Sequence, residues 1–463
     1  MTESRRDFLR RLGSSAAGVV LGGCATDGPP ARKTRPNIVF ILLDDMGWSD
    51  LAGYGNTFHE TPNIDHLAKQ GMRFTDAYAA CPVCSPTRAS IMAGQYPARV
   101  GVTDFIPGHW RPYETLRVPT NRTQYLPLEI VTIAESLQAA GYATGHVGKW
   151  HLGGADHGPQ VQGFDFVRLG GQNRTDKQVT TFTDSAIEFI ETHSDGPFFL
   201  HLSHHTVHIP LEAPQDLVEK YENKPKPATG VNNPVYAAMI EHVDTNVGRV
   251  LARLDELNLS NDTIVIFFSD NGGLRQMYTG EGPIVTTNAP LRDEKGALYE
   301  GGIRVPLIVR WPGVVRPRRV CRTPVTSVDF YPTLLEIAGA ERPAGQVLDG
   351  RSLLPLLQQT GRFEDRALYW HYPHYHHSTP AGAIRQGDWK LIESFENSNS
   401  QLYNLRDDIA EQTDLSAKFP RKALELQTKL ALWRRSVGAA MPQINPDFDP
   451  TRREEWGRHP DRR

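Results

Sequence analysis

Two segments place oxygen ligands where an α/β sheet would present them. Asp44-Asp45 follows the run Asn37-Ile38-Val39-Phe40-Ile41-Leu42-Leu43, and Asp270-Asn271-Gly272-Gly273 follows Thr263-Ile264-Val265-Ile266-Phe267-Phe268-Ser269. A continuous apolar run rich in β-branched residues reads as a strand buried on both faces, and ligands gather beyond the C-terminal ends of such strands. Three carboxylates and one amide oxygen are hard donors with no thiolate or imidazole among them. That set favours Ca2+ or Mg2+ over zinc, and an irregular oxygen cage favours Ca2+. Adjacent buried acids repel each other, so a cation between them is the expected resolution. A solvated strand end is the alternative.

The four cysteines, Cys24, Cys81, Cys84 and Cys321, are too few for a disulfide scaffold. Cys84 opens the segment Cys84-Ser85-Pro86-Thr87-Arg88-Ala89-Ser90. This segment resembles the Cys-x-Pro-x-Arg signature of the formylglycine-dependent sulfatases, members of the alkaline phosphatase superfamily, and continues with the matching Ala-Ser-Ile-Met-Ala-Gly. Cys81 does not fit, because its proline is the next residue. Standing alone, such a short pattern could equally be a thiol in a proline-rich turn. It is joined, in the family's order from about Pro36 to about Ile392, by Asp44-Asp45, Gly148-Lys149-Trp150-His151-Leu152-Gly153, Val207-His208-Ile209-Pro210, Asp270-Asn271-Gly272, and Lys295-Gly296 with Tyr299 to Pro306. Within the family the resemblance is to arylsulfatases and N-acetylgalactosamine sulfatases.

The resemblance implies a division of labour. A maturation enzyme oxidises Cys84 to formylglycine, whose hydrate is a geminal diol. Asp44, Asp45, Asp270, Asn271 and the modified residue 84 surround one Ca2+. One diol hydroxyl attacks sulfur, and His208 gives a proton to the departing alcohol. The other hydroxyl then loses its proton to His151, the aldehyde re-forms and sulfate leaves; a serine lacks that second hydroxyl. A sulfate ester spreads negative charge over its oxygens, so the pocket needs cations, and Arg88, Lys149 and Lys295 supply them beside the metal. The bland alternatives are surface charges for the three bases and a hydrogen-bonded core histidine for His151.

The elements that must hold these residues follow a regular grammar. Further strands are expected at 197–203 and 305–311, and helices at 63–71, at 133–140 closed by Gly141, and at 235–257. Alternating strands and helices give an α/β fold, a mixed, mostly parallel sheet sandwiched by helices. Near residue 360 the texture changes. Short runs at 367–370, 389–392 and 401–405 suggest an antiparallel sheet, followed by a helix over 421–435. The expected organisation is a signal and tether at 1–35, a catalytic domain at 36–361 and an α+β subdomain at 362–463 that contributes to the substrate pocket.

Two further segments bear on substrate. Trp370-His371-Tyr372-Pro373-His374-Tyr375-His376-His377 offers aromatic faces and imidazoles that suit a sugar, with His371 and His374 as its expected contacts. Ring packing within a loop, or weak metal binding, is the alternative. The segment Val100 to Gly108 resembles galactose-directed carbohydrate sulfatases. A sulfated carbohydrate of galactose or N-acetylgalactosamine type is therefore the expected substrate. The competing activities are an aryl sulfatase, a phosphonate or phosphate ester hydrolase of the same superfamily, and a non-catalytic sugar-binding relative.

The N-terminus reads as an address. Ser4-Arg5-Arg6-Asp7-Phe8-Leu9-Arg10 resembles the bacterial twin-arginine export signal, and Leu21-Gly22-Gly23-Cys24 resembles a lipobox that would anchor lipid on Cys24. The apolar stretch between them is short of the roughly 20 residues that span a bilayer. A plain basic N-terminus is the alternative. Export through the twin-arginine machinery to the cell envelope, periplasmic or membrane-anchored, is expected. The formal net charge of −3 argues against nucleic acid as a partner.

Overall fold

The computed structural model describes residues 35–108, 111–119, 123–170, 175–276, 282–360 and 363–457. The export and lipidation readings at residues 4–24 lie outside the described residues. Eight strands form the main sheet: β1 (Asn37–Leu43), β2 (Met72–Phe74), β3 (Ala143–Gly148), β4 (Phe166–Arg168), β5 (Phe198–Ser203), β6 (Thr263–Ser269), β7 (Leu307–Arg310) and β8 (Arg319–Cys321). Their order across the sheet is β8-β2-β7-β6-β1-β5-β3-β4. Only β7 opposes its neighbours, pairing antiparallel with β2 and β6, while the other pairs are parallel. The sequence expectation of a mixed, mostly parallel sheet is borne out.

β1 lies at the centre and all seven of its residues are buried. Ile38, Phe40 and Leu42 face a core closed by the helices Cys84–Ala93, Ile133–Ala139 and Phe330–Ala338. Val39, Ile41 and Leu43 face the opposite core, closed by Pro62–Gln70, Val179–Thr192 and Pro234–Glu256. Burial on both faces is why the strand carries no polar alternation. Phe330 wedges between Phe40 and Phe268, with ring centroids 4.9 Å from each. Truncating such a side chain to alanine costs about 3–5 kcal/mol.

The C-terminal sheet is an antiparallel meander of Ala367–Tyr372, Ala381–Gln386, Trp389–Ser394 and Ser400–Asn404. Its strand at 381–386 was not expected, since Ala381-Gly382-Ala383 has weak β propensity. Leu426 and Leu430 of the helix Pro420–Ser436 cover one face. Trp370 and Tyr372 on the other face pack against Tyr78, Cys81, Val83 and Leu298. One side of this sheet thus touches the chain just before Cys84, which bears on the site. Among the described residues no helix is long and apolar enough to cross a membrane.

Candidate active site

Strand register brings the site together. Leu43 pairs with Ser269, and both Leu42 and Gly148 pair with Ser203. Asp44, Asp270 and Lys149 therefore leave their strands at one edge of the sheet. The turn into Lys149 requires glycine: Gly148 has φ 107°, and a Cβ there would stand 1.9 Å from the Ser203 carbonyl oxygen. Asp45 and His151 hold φ 64° and 59° without being glycine. Such backbone conformations cost about 1–3 kcal/mol each and concentrate where function over-determines geometry.

Cys84 is the first residue of the helix Cys84–Ala93, which is buried throughout, after Val83 in extended conformation. The free N–H groups of the first turn make this end attractive to an anion. Cys84 Sγ lies 3.3 Å from His151 Nδ1. His151 Nε2 donates to the Ile106 carbonyl at 2.5 Å, which leaves Nδ1 as the bare nitrogen facing position 84. Burial, reinforced by Lys149, holds the His151 imidazole well below its ordinary pKa, so it is neutral. Burial pushes the Cys84 thiol up, against the pull of Lys149 and Lys295.

Each acid meets a base. Arg88 Nε donates to Asp270 Oδ2 at 2.8 Å, and its Nη1 donates to the Lys149 carbonyl and Ser203 Oγ at 3.0 and 2.6 Å. Lys149 Nζ reaches Asp44 Oδ2 at 2.6 Å. Lys295 Nζ spans both oxygens of Asp45 at 2.6 and 2.8 Å. Asn271 Nδ2 donates to Asp45 Oδ1 at 2.8 Å. Burial alone would raise the Asp44 carboxyl, but Lys149, His208, Arg88 and Lys295 together hold it well below the usual range. Asp270 goes the other way: burial and the neighbouring Asp44 push it up to about 7 despite Arg88.

Among the side chains of Asp44, Asp45, Asp270 and Asn271, two buried oxygens are without a hydrogen bond, Asp44 Oδ1 and Asn271 Oδ1. Ligand atoms of Asp44, Cys84 and Asp270 lie within 4.8 Å of one another, as do those of Asp44, Asp45 and His208. Orphaned lone pairs of hard donors around crowded carboxylates fit a hard dication. Three carboxylates balance Arg88, Lys149 and Lys295, so a dication would leave a net charge of about +2 facing the cavity, matched to a sulfate.

A cavity of about 300 Å³ opens over Cys84, Lys149, His151, His208 and Lys295. Its other walls are Phe105, Ile106, Ile209, Leu274 and His376. His208 donates from Nδ1 to the Ile209 carbonyl at 2.6 Å, and its Nε2 stands 3.7 Å from Asp45. Cys84, Arg88, Lys149, His151, His208, Lys295, Asp44, Asp45, Asp270 and Asn271 thus gather around one centre. His371 and His374 do not join them. His371 is buried with Nε2 donating to the Ala440 carbonyl at 2.8 Å, and His374 is buried against Thr103 Oγ1 at 2.9 Å. The physical reason is that His371 is held against Ala440 and His374 against Thr103, and His376 reaches the cavity instead.

Sequence reasoning missed Ser203, which accepts from Arg88 and donates to the Lys149 carbonyl at 2.8 Å. It also missed what Asp104 does. Asp104 Oδ1 accepts from Tyr372 Oη and the Phe105 amide at 2.8 and 2.9 Å, pinning the loop whose Ile106 carbonyl orients His151. The segment around residue 104 therefore supports His151 through the backbone.

These features define a sulfuric ester hydrolase with an alkaline-phosphatase-like sheet, and the comparisons agree. The chain belongs to the sulfatase family, whose pattern spans residues 36–340, and residues 293–436 match the family described as N-sulphoglucosamine sulphohydrolase, C-terminal. A sulfatase of Formosa agariphila is 34% identical over 86% of this chain and 88% of its own length. Human arylsulfatase A is 32% identical over 77% and 74% of the two chains. The dog N-acetylgalactosamine-6-sulfatase is 31% identical over 80% and 74%. The solved structure of Ps i-CgsB in complex with k-i-k-neocarrahexaose superposes with a TM-score of 0.75 at 28% identity, covering 90% of this chain and 96% of that one.

Proposed function

We propose that this sulfatase acts on a sulfated carbohydrate, of galactose or N-acetylgalactosamine type, using formylglycine made from Cys84 by a maturation enzyme and one Ca2+ held by Asp44, Asp45, Asp270 and Asn271. The observation that carries the reading is Cys84 at a buried helix N-terminus, 3.3 Å from a neutral His151 and ringed by three acids and three bases. An unmodified thiol pushed up by burial would stay protonated and unreactive, which supports its conversion to another nucleophile. Formylglycine would supply an oxygen nucleophile with a built-in exit route, and Ca2+ a Lewis acid for sulfate oxygens.

The chain's own residues do the rest. Arg88, Lys149 and Lys295 hold the sulfate charge in fixed positions. His151 Nδ1 takes up a proton at position 84, and His208, whose Nδ1 proton is committed to Ile209, would deliver one from Nε2 to the departing alcohol only as the imidazolium, the form that Asp45 favours against burial and Lys295. Phe105, Ile106, Ile209 and Leu274 keep the cavity dry, which strengthens each charge interaction. The sugar assignment is supported by the relative named for N-acetylgalactosamine 6-sulfate and by the neighbour solved with an oligosaccharide. Those same apolar walls favour a second reading, an aryl sulfate. Rates on singly sulfated galactose and N-acetylgalactosamine against a simple aryl sulfate separate the two, and mass spectrometry of the peptide containing residue 84 tests the modification.

We also propose export by the twin-arginine route with lipid on Cys24. That route carries folded proteins, so Cys84 would be oxidised before transport. Replacing Arg5 and Arg6 by lysine should hold the protein in the cytoplasm, and Cys24→Ala should release it from membranes. Unchanged fractionation of both variants would overturn the proposal.

A further inference from the structure

His376 reaches the cavity from the C-terminal subdomain, four residues beyond the strand Ala367–Tyr372. It is 6% exposed, and its amide donates to the Ser378 carbonyl at 3.0 Å. The segment is fastened to the loop that carries Lys295. Ser378 Oγ donates to the Gly296 carbonyl at 2.6 Å, and the Gly296 amide donates to the Pro82 carbonyl at 2.9 Å, two residues before Cys84. Gly296 has φ 87°, and a Cβ there would stand 2.1 Å from His376 Nδ1. The imidazole therefore packs on the backbone beside Lys295, and only glycine leaves room for it.

A second histidine sets its orientation. His377 Nε2 lies 3.0 Å from the Gln276 carbonyl oxygen, which can only accept, so that nitrogen carries the proton. His377 Nδ1 lies 2.8 Å from His376 Nδ1 and 3.2 Å from the Lys295 carbonyl. One Nδ1 of the pair donates to the other, which fixes the orientation of the His376 ring. That bond engages His376 Nδ1, on the ring edge that packs against Gly296. An imidazole in a wall otherwise made of Phe105, Ile106, Ile209 and Leu274 suits a hydroxyl group, to which it can offer a hydrogen bond.

We propose that His376 is a specificity-determining residue that hydrogen-bonds a hydroxyl of the sulfated sugar, and that His377 is its positioning residue. This rests on the sulfated-sugar reading above. Burying that hydroxyl against an apolar wall would penalise substrates lacking the partner, and the histidine makes the difference between a sugar and an aryl ester.

The test measures kcat and KM for wild type, His376→Ala, His376→Gln and His377→Ala on the preferred sulfated monosaccharide, its deoxy analogues and an aryl sulfate. His376→Ala should lower kcat/KM on the sugar by about 10- to 100-fold, mainly through KM, and on the aryl sulfate by less than about threefold. His376→Gln, which keeps a hydrogen-bonding group, should recover part of the loss. His377→Ala should show the same selectivity in weaker form. One deoxy analogue should lose as much on wild type and nothing further on His376→Ala, the coupling expected of a direct contact. Equal losses on sugar and aryl ester, or no deoxy analogue that couples, would overturn the proposal while leaving the sugar reading intact. A wild type that prefers the aryl ester to every sugar would sink the sugar reading and this proposal with it.

Discussion

Two clusters, each of three acids and three bases, are set into this chain, and they use the same side chains to opposite ends. The first is the site: Asp44, Asp45 and Asp270 against Arg88, Lys149 and Lys295. The second joins the main sheet to the C-terminal subdomain: Asp76, Glu300 and Glu411 against Arg304, Arg385 and Lys390, around Tyr78. Lys390 Nζ lies 2.8 Å from both Glu300 and Glu411, Arg304 Nε 2.6 Å from Glu300, and Arg385 2.8 Å from Asp76. Tyr78 Oη donates to Glu300 at 2.7 Å. No residue of this second cluster lines the cavity over Cys84. The site cluster lends Lys149 and Lys295 to that cavity, and Asp44 Oδ1 and the adjoining Asn271 Oδ1 have no hydrogen bond. Charge balance alone therefore does not mark function. What distinguishes the site is a cavity lined by two of its bases beside crowded carboxylate and amide oxygens, where a cation and an anion can still be added.

The largest effect should separate chemistry from architecture outright. Cys84→Ala should lower kcat on a sulfate ester on the order of a millionfold, as loss of a nucleophile does, with thermal stability within a few degrees of wild type. Near-wild-type turnover in the purified variant would remove the site cluster from the chemistry. Chelation comes next. Stripping the metal should cost about a thousandfold or more in rate, and Ca2+ should restore it better than Zn2+. Ca2+ at about 100 times its Kd should also stabilise the fold by roughly 2.7 kcal/mol. A chelated sample with full activity and an unchanged melting curve would show that the orphaned oxygens bind no cation.

The paired lysines give a sharper contrast. Lys390→Met strands Glu300 and Glu411 in the interior and should destabilise the fold by about 3–5 kcal/mol, with the residual folded enzyme still active. Lys295→Met should reverse the pattern: activity falls about 100- to 1,000-fold, while added Ca2+ recovers stability by neutralising Asp45. Thermal melts with and without Ca2+, read beside turnover, check both. Equal stability losses with no Ca2+ response in either variant would mean the two clusters are alike after all.

How much of this was legible in the sequence depends on what encodes each part. β1, β5 and β6 stood out because burial on both faces demands an unbroken apolar run. β3 did not, since Ala143-Thr144-Gly145-His146-Val147-Gly148 has two glycines and a histidine whose Nδ1 meets His201 Nδ1 at 2.9 Å inside the sheet. The site residues could be named because each motif is local, but their convergence is a matter of register. Lys295 and Glu300 lie five residues apart in one motif, yet one belongs to the site and the other to the subdomain joint. Nothing local separates them; the partner Lys390 is 90 residues away. The histidine-rich stretch pointed to the correct segment and the wrong rings. Density of imidazole and aromatic residues marks packing and binding alike, and only the loop beside Gly296 selects His376.

The smallest effect concerns pH, and it is read at the joint. Burial, opposed by Lys390 and reinforced by Glu300, pushes the Glu411 carboxyl up to about 7 from an ordinary value of 4.5. For Glu300 burial also raises the carboxyl, but Lys390, Arg304 and Arg385 outweigh it and hold it below the usual range. The signs therefore differ. Between about pH 4.5 and 7 folded Glu411 holds a proton that the unfolded chain has released, so its contribution to stability is full at the low end and is lost as pH rises. Glu300 contributes stability above the unfolded value and loses it as pH falls below about 4.5. Glu411→Gln keeps an oxygen for the Glu300 amide, which Glu411 Oε2 now accepts at 2.6 Å, and cannot ionise. Asp270 and Asp244, pushed up to about 7 and about 6, slope in the same direction as Glu411, so the comparison must be variant against wild type. Across that window the variant's stability should decline less steeply, by on the order of 1 kcal/mol, while its turnover under optimal conditions stays at the wild-type level. Melting curves at steps between about pH 4.5 and 7.5 measure the slope. Superimposable slopes would show that Glu411 is ionised throughout and that the joint holds its acids charged.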